Sequence, residues 1–497
     1  MRFCFFSTEI SLTAERFSAL CKRVRAEFFL VYNPSIFNDY LVKIPFLSKF
    51  FGCDDENYIE KLIKKKPDLV GMTLYSDVQL HRKLDILKKI KERLPDVKII
   101  VGGPHVTISG EDILKRFSFI DFAVRGAGEG ALEGILKEKD LSELPGLIYR
   151  TREKIVCNNW KFSPNEELYN IPQKNTLYSR KFPYLKKSFV IDSNYGCLFS
   201  CSFCYHSIFD KKSIVFRDPK RLVDDILTAQ KNGAKMVFFF DDNFIILKQK
   251  TLELLNIYRK KISIPFICIV HPTLLDEELI NAMKEAGCIG IEMGVQTMNE
   301  ELRKKYLKRF EKDKDIINTM KLAQKYNIPL KIDHLFGIPD QTEEDHIRAF
   351  LIYKKFNISH VSTFFLMLYP KLEINKILLE KGMIDNNTLV DIEKGNISNF
   401  HKHPAVEVDP NILKLEAMAA LIPIFPYNFI KLILKKRLYR MMPNSLPFWF
   451  FRFFIYFLEA IFSKQHVMSR REMYIYYKTM KDSIFSKIKE FLKGGIV

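Results

Sequence analysis

Tyr195-Gly196-Cys197-Leu198-Phe199-Ser200-Cys201-Ser202-Phe203-Cys204-Tyr205 is the stretch that decides how this chain is read. Three of the nine cysteines fall inside eight residues, spaced C-x3-C-x2-C, with an aromatic residue before the third. A structural zinc site takes four ligands and disulfides take cysteines in pairs, so an odd trio suits neither. Three thiolates can hold three irons of a [4Fe-4S] cube, which normally takes four, and leave the last iron open to a ligand. The competing reading is structural: positions i, i+4 and i+7 share one helix face, where three cysteines would pack as small apolar side chains.

The loop follows an apolar strand, Ser188 to Ser193. After it, Asp218 and Pro219 cap and open a helix. The strands Lys235–Phe240, Pro265–Val270, Ile289–Thr297, Leu330–Phe336 and Phe364–Pro370 come next, separated by helical segments. Six strand–helix repeats over residues 186–385 predict a partial (β/α)6 TIM barrel, with its chemistry at the C-terminal ends of the strands. Asp241 and Asp242 end one such strand, where capping or a turn would also explain two aspartates.

Residues 1–140 alternate in the same way. Apolar runs at Arg2–Phe6, Phe28–Tyr32, Pro67–Leu74, Val97–Val101 and Ile120–Arg125 are separated by amphipathic patterns such as Leu84, Ile86, Leu87, Ile90 and Leu94. Continuous apolar strands alternating with helices indicate a doubly wound, Rossmann-like parallel sheet. Ligands of such sheets sit beyond the strands' carboxyl ends, where Gly102, Gly103, Gly126 and Gly128 would let the backbone approach a bulky cofactor.

Cys197, Cys201, Phe203 and Cys204 resemble the signature of the radical S-adenosylmethionine (SAM) enzymes, and the elements ahead of them resemble the cobalamin-binding domain of one large class of that superfamily. The second likeness rests on Pro67 to Gly71, Gly102 to Thr107 and Gly126-Ala127-Gly128-Glu129, where Ala127 departs from the usual glutamate. The resemblance covers about residues 1–385. It implies that the three cysteines hold a [4Fe-4S] cluster whose open iron chelates SAM, with Phe203 near the adenine and Asp241 and Asp242 near the amino group. Gln296 and Arg309 would hold the rest of SAM, although an arginine in a lysine-rich segment defaults to a solvated face. Gly337 and Pro339, followed by Thr342, would pack on the adenine. Thr73, Gly102, Gly103, His105, Gly126, Gly128 and Glu129 would line the cobalamin crevice. Free-standing cobalamin domains carry a cobalt-ligating histidine after the first strand. Here Ser7-Thr8-Glu9-Ile10-Ser11-Leu12 has none, and no protein cobalt ligand is assigned.

Residues 141–185 read as a linker, with a short hairpin at Leu144–Arg150 and turn signals at Ser163-Pro164, Ile171-Pro172 and Phe182-Pro183. Residues 386–497 are expected to be helical. Their runs Met418–Leu434 and Phe448–Phe462 are aromatic and apolar but too interrupted to span a membrane. They would pack over the barrel mouth, or meet an anionic membrane surface, or shape a lipid-like substrate pocket. The net charge is +19, which by itself does not choose between nucleic acid, anionic membrane and anionic substrate. Nine cysteines without framework spacing, an oxygen-sensitive cluster and a polar turn soon after Met1 favour a cytoplasmic protein.

The expected activity is reductive cleavage of SAM, hydrogen abstraction from an unactivated carbon of a small-molecule or lipid-like substrate, and methylation through methylcobalamin. The electron would come from a reductant such as flavodoxin or ferredoxin, and no nucleic-acid partner is expected. An oxidative cyclase or rearrangement enzyme uses the same parts. An RNA methylthiotransferase would need three more cluster cysteines, and Cys4, Cys21 and Cys53 are poorly spaced for that. A sensor that has lost turnover finds support only in Ala127 and in Lys371, which breaks the usual pattern after the last strand.

Overall fold

The computed structural model describes residues 1–9, 11–33, 55–76, 79–160, 166–169, 177, 187–208, 214–394, 406–443, 481 and 485. Its first sheet contains β1 (Arg2–Ser7), β2 (Glu27–Tyr32), β3 (Leu69–Thr73), β4 (Lys98–Gly102), β5 (Phe122–Val124), β6 (Leu147–Arg150) and β7 (Ile155–Cys157). Their order is β2-β1-β3-β4-β5-β6-β7. Strands β1 to β5 are parallel, and the β6–β7 hairpin adds antiparallel to the β5 edge. The sheet therefore runs past the expected boundary at 140, and the first part of the expected linker belongs to it.

Alternation along these strands explains their continuous hydrophobicity. Phe3 and Phe5 pack with Leu20, Leu132 and Ile135 on one face. Cys4 and Phe6 pack with Ile59, Leu62, Leu84 and Leu87 on the other. Both faces are covered by helices, so neither set of side chains can be polar.

The second sheet is parallel throughout and follows chain order: β8 (Ser188–Ile191), β11 (Met236–Phe239), β12 (Phe266–Val270), β13 (Cys288–Gln296), β14 (Leu330–Phe336) and β15 (His360–Phe365). Between β8 and β11, a two-stranded antiparallel ribbon of β9 (Asn194–Tyr195) and β10 (Val215–Phe216) frames the cysteine loop. The last strand lies four residues ahead of the expected Phe364–Pro370, because His360 to Phe365 pair with Lys331 to Phe336. One set of side chains, among them Phe189, Val237, Phe266, Met293, Ile332 and Val361, faces the helices. The alternate set faces inward. Val190, Met236, Phe238, Ile267, Ile269 and Ile289 make that inner wall apolar on one side. Glu292 and Lys331, 3.2 Å apart, make the other side charged.

The C-terminal helices Pro410–Ala419 and Tyr427–Lys435 do not cover the barrel mouth, as the sequence suggested. They pack on the helix Glu343–Lys355 and the outer face of β15, where the Thr363 hydroxyl donates to Glu416 at 2.5 Å and Arg440 meets Glu343 at 2.7 Å. The apolar composition of Met418–Leu434 is thereby used in the core: Met418, Ile422, Ile430 and Leu434 are all buried there. The run Phe448–Phe462 lies outside the described residues. No helix among the described residues is long and apolar enough to cross a membrane.

Ion pairs join the two sheets' domains. Arg16, on the first helix, bridges Glu129 of its own domain (3.4 Å) and Asp192 at the end of β8, and all three side chains are at most 10% exposed. Lys371 reaches Asp112 (2.6 Å) and the Ser109 carbonyl (3.1 Å), and Arg116 pairs with Glu393. Arg16→Ala leaves two buried carboxylates without their guanidinium, a change that costs about 3–5 kcal/mol at comparable sites. Urea unfolding should register that loss. Arg93→Ala, which removes an exposed pair with Glu56, should shift the curve by less than about 1 kcal/mol.

Candidate active site

The loop that carries the cysteines is pinned at both ends. At its start the Asp241 carboxylate, 2% exposed, accepts from the backbone N–H groups of Ser193 and Asn194 at 2.7 Å each and from the Ser193 hydroxyl at 3.1 Å. Burial, and then Asp192, push the Asp241 carboxyl up to about 8 against those hydrogen bonds. Toward its end Ser202 donates its N–H to the Leu307 carbonyl (3.0 Å) and its hydroxyl to the Tyr306 carbonyl (2.5 Å). Asp241, assigned by resemblance to the SAM amino group, is thus occupied in shaping the loop. Its neighbour Asp242 faces outward from the strand end, 2.7 Å from His206 Nε2.

Cys201 is buried and Cys197 and Cys204 are half-buried. Burial pushes the Cys204 thiol well above its ordinary range, and Cys201, Asp242 and Cys197 add to the shift. No three or more His, Cys, Asp or Glu side chains among the described residues converge to hold a single metal ion. A cubane bonds each thiolate to its own iron, so three thiols on one short loop can each serve a different iron. Cys268 and Cys288, by contrast, lie in the core between strands and helices.

Arg309 departs from the solvated position expected of it. The helix Glu300–Leu307 ends with Lys308 in the left-handed conformation (φ 51°), which turns Arg309 inward until it is 6% exposed. Its Nε donates to Glu311 Oε1 at 2.5 Å, and its Nη2 to the Gly294 carbonyl at 2.7 Å and His271 Nε2 at 3.1 Å. Nη1 keeps its N–H groups without a hydrogen-bond partner among the described residues. Burial opposes the charge, but the Cys201 thiol, Glu311 and Cys197 outweigh it and hold the guanidinium above its ordinary range. Gln296 sits beside it with φ 67°, at a register shift between β13 and β14. A Cβ on Gly294 would stand 2.9 Å from Gln296 Nε2 and 3.7 Å from Arg309 Nη1, so a larger residue there would displace the end of the Gln296 side chain.

Phe203 is half-buried in one apolar group with Ile338, Leu335 and Leu366, which brings it to the strand end that carries Gly337 and Pro339. Thr342 lies apart, its hydroxyl capping the helix Glu343–Lys355 in a reciprocal bond with Asp345.

In the first domain Thr73, Gly102, Gly103, His105 and Gly126 meet at the carboxyl ends of β3, β4 and β5. Gly103 has φ 98°, and a Cβ there would strike Thr73 Cγ2 at 2.7 Å. A Cβ on Gly102 would find only the Val124 carbonyl, at 3.8 Å. His105 is fully buried, with Nδ1 2.7 Å from the Ser76 hydroxyl and Nε2 lacking a partner among the described residues. Burial, then Arg116, lowers this imidazole to about 4 and keeps it neutral. An open glycine cradle beside an orphaned neutral nitrogen fits a large cofactor with polar side groups. Two residues assigned to that crevice are used elsewhere: Gly128 backs onto Phe17, and the Glu129 carboxylate is held by Arg16. Sequence reasoning missed Ser76, Phe199, His206, His271 and Glu311. Of these only His271, which follows a strand and precedes Pro272, carried a positional signal.

The Radical SAM superfamily model matches residues 191–352, and the B12 binding domain model matches residues 47–136. An uncharacterised methyltransferase of Pyrococcus horikoshii is 26% identical over 63% of this chain and 70% of its own length. The anaerobic magnesium-protoporphyrin IX monomethyl ester cyclase of Rubrivivax gelatinosus is 27% identical over 48% of this chain and 45% of its own. Among solved structures, the radical SAM methyltransferase TsrM of Kitasatospora setae, with cobalamin and a [4Fe-4S] cluster bound, superposes with a TM-score of 0.64 at 17% identity. That match covers 77% of this chain and 75% of TsrM. The cofactors of such a protein are a [4Fe-4S] cluster, SAM and cobalamin. After anaerobic reconstitution, alanine at Cys197, Cys201 or Cys204 should reduce bound iron from about four per chain to under one, whereas Cys268→Ala should retain it. Iron analysis and the cluster's visible absorption check this. With a thiol trio beneath a pinned loop and a glycine-lined crevice on the sheet ahead of it, the chain belongs to the radical SAM superfamily, in the class that carries a B12-binding domain before the radical core.

Proposed function

We propose that this chain methylates an unactivated carbon of a small molecule, with Arg309 and Gln296 holding SAM beside the cluster. The observation that carries the reading is Arg309 Nη1, which has no hydrogen-bond partner among the described residues, on a guanidinium fixed by three bonds and close enough to Cys201 and Cys197 to be stabilised by them. A guanidinium edge held this way matches a carboxylate in geometry and charge. When bound, the cluster with SAM supplies a hydrogen-abstracting carbon radical, and cobalamin supplies a methyl group. The protein's part is to position and to exclude water. Phe203 and the Gly337–Pro339 strand end would give adenine an apolar seat. Asp242 and His206 would stand at the rim of the loop. A reductant of the flavodoxin or ferredoxin kind would deliver the electron.

The inner barrel wall suits a substrate that is apolar along one side. Phe240, 57% exposed, stands at the end of β11 against Phe238 (ring centroids 5.4 Å). Opposite it, Glu292 pairs with Lys331, and burial, followed by Glu292, raises the Asp333 carboxyl well above its ordinary range. Such a wall can hold a hydrocarbon face on one side and a polar group on the other.

The cyclase relative favours one rival reading, which product analysis separates. Incubated without air with SAM, cobalamin and a strong reductant, a methylase should yield both 5'-deoxyadenosine and S-adenosylhomocysteine. A cyclase should yield only the first and a sensor neither, and either outcome would displace the methylase reading.

We also infer that the helix Tyr427–Lys435 meets an anionic lipid surface. Phe425, Tyr427, Phe429 and Leu432 are between 37% and 51% exposed, with Phe425 and Phe429 4.9 Å apart and Lys431, Lys435 and Lys436 beside them. Apolar rings among lysines are the composition of an interfacial helix. The protein should float with phosphatidylglycerol vesicles and not with neutral phosphatidylcholine. Phe429→Asp with Leu432→Asp should abolish flotation while leaving bound iron unchanged.

A further inference from the structure

His271 stands between the cysteine loop and Arg309 and touches both. Its ring stacks on Phe199, which lies between Cys197 and Cys201, with centroids 3.7 Å apart and planes 15° from parallel. On its edge, Nε2 lies 3.1 Å from Arg309 Nη2. A guanidinium has only donors, so Nε2 accepts from Nη2; the neutral ring then carries its proton on Nδ1, directed at the Thr273 hydroxyl at 2.9 Å, and this takes precedence over the longer 3.4 Å approach of the Thr273 N–H to the same nitrogen. The residue's own N–H is held by Asn243 Oδ1 at 3.3 Å. Of the two Nη2 hydrogens of Arg309, the Gly294 carbonyl takes one and His271 the other, which fixes the guanidinium plane and leaves Nη1 without a partner among the described residues. Arg303, fully buried, supports the segment behind this arrangement by donating to the Glu311 carbonyl (3.2 Å), the Thr297 carbonyl (2.5 Å) and Asp313 (2.7 Å).

We infer that His271 is a positioning residue that aims the Arg309 guanidinium at the SAM carboxylate and, through its stack on Phe199, ties that aim to the placement of the cysteine loop. The inference rests on the reading of Arg309 as the SAM carboxylate partner. Loosening either contact leaves the guanidinium held only by Glu311 and the Gly294 carbonyl, with one Nη2 hydrogen unmatched, so affinity for SAM falls although neither His271 nor Phe199 need touch SAM.

The test is a SAM titration of the reduced, reconstituted full-length protein, followed by the change SAM causes in the cluster's electron paramagnetic resonance spectrum, with iron content and far-UV circular dichroism measured alongside. His271→Phe keeps an aromatic face for Phe199 but removes the acceptor. It should weaken SAM binding roughly 10- to 100-fold, the scale for losing a hydrogen bond to a charged group, at unchanged iron content. His271→Gln restores an acceptor and should recover most of that loss. Phe199→Leu should weaken binding less, and its effect should not add to that of His271→Phe. SAM affinity within twofold of wild type in His271→Phe overturns the inference, as does equal weakness of His271→Gln. Were His271→Phe to lose its iron, Phe199→Leu decides: a wild-type SAM affinity there overturns the coupling. A wild-type cluster whose spectrum ignores SAM would instead sink the underlying assignment of Arg309, and this inference with it.

Discussion

The site depends on the hydrogen bonds that pin the cysteine loop. Three thiolates can face one cluster only if the backbone between them is held, and each residue held costs about 1–2 kcal/mol in conformational entropy. Asp241 meets that cost at one end by accepting three hydrogen bonds from Ser193 and Asn194. Ser202 meets it at the other by donating to two successive carbonyls, those of Tyr306 and Leu307. These partners come from the end of β11 and from the last turn of the helix after β13, so the loop is fixed against the barrel rather than by contacts within itself.

That last turn also explains how a charge is kept in the interior. Lys308 adopts the left-handed conformation and reverses the chain, which carries Arg309 beneath the loop and Glu311 after it. An arginine buried alone would be prohibitive, so each donor of its fork but one terminal nitrogen is matched to an acceptor. Arg303, buried as deeply, repeats the pattern, paired with Asp313 and two carbonyls. Both arginines hold the same short segment, Arg309 by the Glu311 carboxylate and Arg303 by the Glu311 carbonyl and Asp313.

Much of this fold could be read from the sequence, because both sheets are covered on their helix-facing sides and their strands are continuous apolar runs with helices between. The spacing of Cys197, Cys201 and Cys204 carried the site. What could not be read depends on contacts distant in sequence. Arg309 looks like one more cation in a lysine-rich helix until Lys308 breaks that helix. Asp241 and Asp242 are adjacent and chemically alike, and only the path of the loop assigns one to the backbone and the other to His206. Glu129 belonged to a cofactor motif by pattern, yet Arg16, far from it in sequence, holds it at the joint between domains. The C-terminal boundary of the last strand was misjudged because Phe364 to Tyr369 is more hydrophobic than His360 to Thr363, which the sheet actually pairs.

The joint itself follows from the chemistry of two cofactors on two sheets. Were a group to pass from a ligand on the first sheet to a substrate in the barrel, the two strand ends would have to be held in register. Single hydrophobic contacts slide, whereas a guanidinium between two carboxylates has one geometry. Arg16 supplies that geometry on the β8 side, and Lys371 and Arg116 supply ion pairs on the β15 side. Ile108, packed between them with Leu302, Leu366 and Leu372, excludes water from the same seam. Lys371 departs from the family's usual residue after the last strand, and here it reaches across to Asp112 and the Ser109 carbonyl. The departure therefore adds an ion pair and a hydrogen bond across the joint between the two domains.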